Sequence, residues 1–156
     1  MKIRKKELEL YTVWGVYLFA YMWLVMSELA FTYSTSGTFA LIRNITFALL
    51  LFIIAQNKYK VKAFIQIGLF ALIIIAGVLS SHALSFLMIV ALGLAIGDVD
   101  FKKFVVFDYR LKMVILVSIV LSCKIGAIHN YTAVINGIEK QSLGFSHPNT
   151  LGLFVS

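Results

Sequence analysis

The chain has 156 residues, 61 % of them hydrophobic and 13 % charged, with a mean hydropathy of +0.94 and a formal net charge of +7. Soluble domains are nearer about 45–50 % apolar and about 25 % charged, so this composition argues against an ordinary soluble globule and points to the bilayer. A +7 balance would also suit nucleic acid, but the basic residues follow a membrane-topology pattern instead, and the single cysteine, Cys123, excludes an internal disulfide.

The chain opens with a basic tail, Met1–Glu9, followed by an apolar run over about Leu10–Ala30. The run is too long and too rich in bulky aromatics for a cleaved signal sequence, so an uncleaved first span is predicted. Further apolar runs follow at about Phe39–Ala55, Ala63–Leu79, Ala83–Gly97 and Leu111–Ile128. Roughly 20 helical residues cross the hydrocarbon, and the shorter runs can be extended by interfacial side chains or by local thinning. Runs longer than about ten residues without alternation favour helices over barrel strands. The expectation is an all-α, polytopic transmembrane bundle of five spans plus the start of a sixth at about Asn149. The whole chain is read as one transmembrane domain, the front part of something longer, because the sixth run has only begun at Ser156.

Between the fourth and fifth runs, Asp98–Lys112 mixes charges with Phe101, Phe104, Phe107 and Tyr109. It reads either as an amphipathic element in the interface or as a plain loop. Gly93-x-x-x-Gly97 fits close helix packing, a weak signal in so apolar a sequence.

The basic residues set the orientation. Lys2, Arg4, Lys5 and Lys6 lie in the tail, Lys58, Lys60 and Lys62 after the second run, and Lys102, Lys103, Arg110 and Lys112 after the fourth. Five alternating spans put all of these on one side, leaving Arg43, Lys124 and Lys140 for the other. The amino terminus is therefore expected in the cytoplasm and the loop 129–148 outside, with anionic inner-leaflet lipid as a contact of the basic side.

Charged side chains inside apolar runs are costly, and they are functional candidates by default. Glu28, Arg43 and Lys124 are the three here, and the topology puts each near the outer end of its run. The plainer alternative is that Arg43 and Lys124 snorkel while Glu28 pairs with Arg43. His82, His129, Glu139, Lys140 and His147 fall on the same outer rim. In the segment Lys140–Gly152, Gly144 permits a tight backbone and Pro148 suits the first turn of a helix. A helix beginning at Asn149 would present free N–H groups to an anion, and His147 beside it is suited to proton transfer near neutral pH. The residues alone leave a second reading open, a loop with a helix start and an exposed histidine.

The stretch Ser142-Leu143-Gly144-Phe145-Ser146-His147-Pro148-Asn149-Thr150-Leu151-Gly152 resembles the signature of bacterial polysaccharide polymerases of the O-antigen polymerase/ligase class, and in particular the Wzy-like exopolysaccharide and capsule polymerases. In that group a basic residue, then Ser-Leu-Gly-Phe and His-Pro-Asn, precedes a membrane helix. The family position for arginine is Lys140 here, a point charge in place of a planar fork. The resemblance covers about a dozen residues. It implies an integral enzyme of the bacterial plasma membrane that joins oligosaccharide units carried on undecaprenyl diphosphate at the outer face, with no nucleotide sugar, cofactor or metal. By that resemblance Lys140 binds diphosphate and His147 assists proton transfer. Arg43 joins the substrate-binding set from topology alone, and Asn149 from the helix start. The implied partners are the bilayer, the lipid-linked oligosaccharide and other polysaccharide-assembly membrane proteins, with no nucleic acid. A second class stays open: a non-catalytic membrane protein, such as a small transporter subunit or an assembly scaffold.

Overall fold

The structure is a computed structural model that describes residues 5–33, 35–57, 68, 84–97, 99–135 and 137–147. In chain order the elements are helix α1 (Lys5–Tyr21), a π-helical continuation (Met22–Met26), the short helix α2 (Leu29–Thr32), α3 (Ser36–Ala55), α4 (Leu84–Ile96), α5 (Phe101–Lys124), and strands β1 (Thr132–Ile135) and β2 (Ile138–Gln141). The described residues group into two compact units. One draws on Met1–Trp14 and Asn44–Val105, the other on Gly15–Arg43 and Val106–Ser156.

In the first unit, aromatic contacts and end caps define the packing. Tyr11 and Trp14 of α1 set their rings against Phe104, with centroids 6.1 and 6.5 Å apart. The last carbonyls of α4 have no partner within the helix. Asn57 supplies one, its Nδ2 donating to Leu94 O at 3.1 Å. The chain then leaves α4 through Gly97 at φ +41°, a conformation most side chains avoid. At the start of α5, Asp100 Oδ1 accepts the Lys103 N–H at 3.3 Å, an N-cap bond that holds this exposed carboxyl below its usual range.

The second unit carries the later turns of α1, the early turns of α3, most of α5 and the hairpin. Tyr17 stacks on Tyr21 at 6.1 Å, and Phe39 tilts against both. Helix α5 stops in a Schellman motif. Gly126 takes φ +77°, its N–H bonds Cys123 O at 3.1 Å, and the Ala127 N–H bonds Ser122 O at 2.9 Å. Strands β1 and β2 then pair antiparallel, from Thr132 opposite Gln141 to Ile135 opposite Ile138, with Gly137 at φ +75° in the turn.

This architecture overturns the expected all-α bundle of five spans plus a sixth. Among the described residues two helices are long and apolar enough to cross a membrane: Lys5–Met26, with 22 residues and hydropathy 1.3, and Ser36–Ala55, with 20 residues and hydropathy 2.1. The run predicted as the fourth span folds as α4, whose 13 residues reach about 20 Å at 1.5 Å each, short of a bilayer core of about 30 Å. The predicted fifth span and the charged stretch before it are one continuous helix, α5, so Asp108, Arg110, Lys112 and Lys124 all fall in its last 18 residues, too many for an apolar window. Within it Lys112 Nζ meets Asp108 Oδ2 at 2.7 Å, one turn apart. The hairpin adds β-structure where a plain outer loop was expected. Among the described residues a Cβ at Gly93 would meet nothing within 4 Å, whereas one at Gly97 would lie 2.5 Å from Asn57 Nδ2, so of the Gly-x-x-x-Gly pair only Gly97 is closely approached there. The predicted third span at 63–79, apart from Gly68, and the sixth run from 149 lie outside the described residues.

Helix α3 argues for a membrane in a second way. Its apolar window is only 17 % buried, and Leu41, Ile45, Leu49 and Phe52 stand exposed at helical spacing along one face. The core helix of a soluble protein buries such a stripe.

Candidate functional site

The candidate site forms where the first apolar helix ends. An α-helix leaves its last four carbonyls without intrahelical partners. Here the final turn widens to π geometry over Met22–Met26, and the chain turns extended at Ser27, with φ −80° and ψ 167°. The Ser27 hydroxyl donates back to Trp23 O, and Thr35 Oγ1 donates to Leu24 O at 2.6 Å. Two further bonds come from the segment 142–146. The Ser146 N–H donates to Met26 O at 2.8 Å, and Gly144 O accepts the Glu28 N–H at 2.9 Å, so Ser27 and Phe145 face each other in an isolated antiparallel bridge. Both residues are fully buried.

The segment itself is a tight turn. The Phe145 N–H bonds Ser142 O at 3.0 Å, while Leu143 at φ +50° and Gly144 at φ +89° put both central residues in the left-handed region, the type I′ pattern. Glycine at 144 is required twice over. A Cβ there would lie 2.7 Å from Ile128 Cδ1, 2.9 Å from Cys123 Cβ and 3.2 Å from Ile119 O. The buried Ser142 locks the turn to the hairpin: its N–H donates to Tyr131 O at 2.7 Å and its Oγ accepts the Tyr131 N–H at 2.9 Å. Asn130 Oδ1 accepts the Leu143 N–H at 3.0 Å.

This framework opens a pocket of about 290 Å³ lined by Glu28, Tyr131, Ser146 and His147, close to the lower bound of about 300 Å³ for small-ligand sites. The lining joins a half-buried carboxylate, a phenol, a hydroxyl and an exposed imidazole. Such a set can bind hydroxyl groups and can move a proton.

The predicted site residues divide. His147 lines the pocket. Lys140 does not line it. It lies on β2 opposite Ala133, and strand alternation puts it on the hairpin face shared with Tyr131 and Ser142, two residues or about 6.6 Å along from Ser142. Arg43 does not line it either. Helix α3 starts at Ser36, three residues before the expected Phe39, so Arg43 sits about two turns inside rather than at the rim, half-buried and within electrostatic reach of Tyr17. Asn149 lies outside the described residues. Glu28, flagged only as a charge near the end of a run, is brought beside the motif by the Ser27–Phe145 bridge. Tyr131 and Ser146 escaped sequence reasoning. Asn136-Gly137, a strong two-residue hairpin signal between the β-prone run 131–135 and the run 138–141, would have found the first.

Comparison of the chain with protein-family models, with curated proteins and with solved structures finds no match.

Proposed function

We propose that this chain belongs to a polysaccharide polymerase-like membrane protein of the bacterial plasma membrane. In this reading its amino terminus is cytoplasmic, the chain crosses the bilayer more than once, and it joins oligosaccharide units carried on undecaprenyl diphosphate at the outer face. The observation that carries the reading is that His147 lines a pocket at the end of the first apolar helix together with Glu28, Tyr131 and Ser146. The hydrogen bonds from 144–146 to Met26 and Glu28 hold the motif at the level where that helix finishes. If Lys5 and Lys6 at the other end stay with the cytosol, the motif faces outward, where lipid-linked units are presented.

In this reading His147 takes the proton from an acceptor sugar hydroxyl. The oxygen attacks the anomeric carbon of the donor unit, a new C–O bond forms, and the bond to the diphosphate breaks. The undecaprenyl diphosphate leaves with the electron pair. Lys140, on the same hairpin face as Tyr131, offers a point charge for the departing diphosphate.

The test uses cells whose polymer depends on this gene. His147→Ala should remove long polymer and accumulate lipid-linked single units, with the protein still inserted. Normal polymer lengths would refute the reading and favour the non-catalytic alternative, an assembly scaffold or small transporter subunit.

A further inference from the structure

A polymerase has to accommodate two ligands of opposite electrostatic demand, a polyanionic diphosphate and an uncharged sugar with many hydroxyl donors. The pocket beside His147 distinguishes between them. Among the described residues its lining holds one carboxylate, Glu28, and neither lysine nor arginine. The half-buried carboxylate repels phosphate oxygens more than a fully hydrated one would. The same carboxylate accepts sugar O–H donors in charge-assisted bonds. Tyr131, 55 % exposed, adds a ring for the apolar face of a sugar together with a phenolic hydroxyl, and Ser146 adds a further donor and acceptor. Lys140, the cation nearest along the hairpin, stands outside the lining.

We infer that the pocket of Glu28, Tyr131, Ser146 and His147 is the acceptor-sugar subsite, and that Glu28 is the residue that selects neutral sugar over diphosphate. The diphosphate is then held outside the pocket, on the Lys140 side of the hairpin. The acceptor role rests on the polymerase reading, whereas the sugar-over-anion selectivity does not.

The experiment measures the rate at which diethyl pyrocarbonate modifies His147 in the full chain in detergent, by peptide mass spectrometry, with the exposed His129 as internal control. The probes are maltotetraose, cellotetraose and chitotetraose, with inorganic pyrophosphate as the anion. At least one tetrasaccharide should slow modification of His147 and not of His129, while pyrophosphate leaves both unchanged. Glu28→Gln keeps the backbone bond to Gly144 and should raise the protecting sugar concentration about tenfold or more, the loss of one hydrogen bond to a charged group. Glu28→Lys should make pyrophosphate protective. Tyr131→Ser, a variant outside the helix end, should weaken sugar protection in case the Glu28 variants fail to fold. Protection of the wild type by pyrophosphate, no protection by any sugar, or unchanged sugar protection in a folded Glu28→Gln protein overturns the inference. Sugar protection together with normal polymer lengths in His147→Ala cells upholds the subsite and sinks the polymerase reading instead.

Discussion

Replacing Gly144 with alanine should be among the most damaging single-methyl changes in this protein. Two effects add. A residue with a Cβ in the left-handed region costs about 1–2 kcal/mol. The new methyl also meets three neighbours at 2.7, 2.9 and 3.2 Å. Ile128 Cδ1 is the end of a flexible side chain and can move. Cys123 Cβ and the Ile119 carbonyl belong to α5 and can yield only if the helix or the turn shifts, which by analogy with overpacked cores costs about 1–3 kcal/mol more. The expected loss is therefore about 2–5 kcal/mol. Gly126→Ala and Gly137→Ala provide the reference. Both glycines have φ near +76°, at +77° and +75°, and open space where the Cβ would go, so each should lose only the conformational part, about 1–2 kcal/mol. Denaturant titration of the three variants in mixed micelles, followed by far-ultraviolet circular dichroism, measures the difference. A Gly144→Ala protein no less stable than the other two would refute the packing of this turn against α5.

Ser142→Ala should cost about 1–3 kcal/mol, since it leaves the Tyr131 N–H without its buried acceptor, and hydrogen exchange at the Tyr131 amide should quicken; unchanged protection would contradict the bond. Leu143→Val should destabilise by about 1 kcal/mol, because a β-branched side chain tolerates φ +50° less well than leucine, and an equally stable variant would argue against the left-handed turn. The Asp100 carboxyl is held low by the Lys103 N–H. A carboxyl with a depressed folded value stabilises the start of α5 above its ordinary range, and that support is lost as pH falls through the folded value. The protection factor of the Lys103 amide, its exchange rate relative to the intrinsic rate at each pH, should therefore fall on acidification in the wild type and show no such step in Asp100→Asn. A Glu139→Cys label in a Cys123→Ser background should react with an impermeant thiol reagent applied to intact cells; reaction only after lysis would reverse the proposed orientation.

The helices with strong apolar runs were legible in the sequence, and their number as membrane spans was not. Hydropathy reads a run of side chains but not where the backbone stops. Gly126 and Gly97 end α5 and α4 through φ values the apolar pattern does not encode, and Asp108–Lys112 pairing lets the charged stretch continue as helix into the run behind it. The motif was legible as a turn through Gly144, and its histidine, His147, lines the pocket beside it. The place of Glu28 in the lining was hidden because the contact that creates it spans more than a hundred residues of sequence. It depends on an orphan carbonyl at Met26 meeting an N–H at Ser146, a complementarity of backbone groups that no side-chain pattern announces.

That backbone origin bears on how the pocket is held. Among the described residues its lining comes from two places, Glu28 from the end of a helix and Tyr131, Ser146 and His147 from the hairpin and turn. Glu28 and Ser146 are joined to the bridge by their own main-chain N–H groups, and Tyr131 by its N–H and carbonyl to Ser142. Side-chain substitution at Glu28 or Ser146 thus leaves the bridging bonds in place, whereas a change at Gly144 or Ser142 alters the frame itself. Frame variants should lose sugar protection and stability together. Glu28→Gln should lose protection with stability unchanged, and that separation distinguishes a residue that meets ligand from one that only shapes the site.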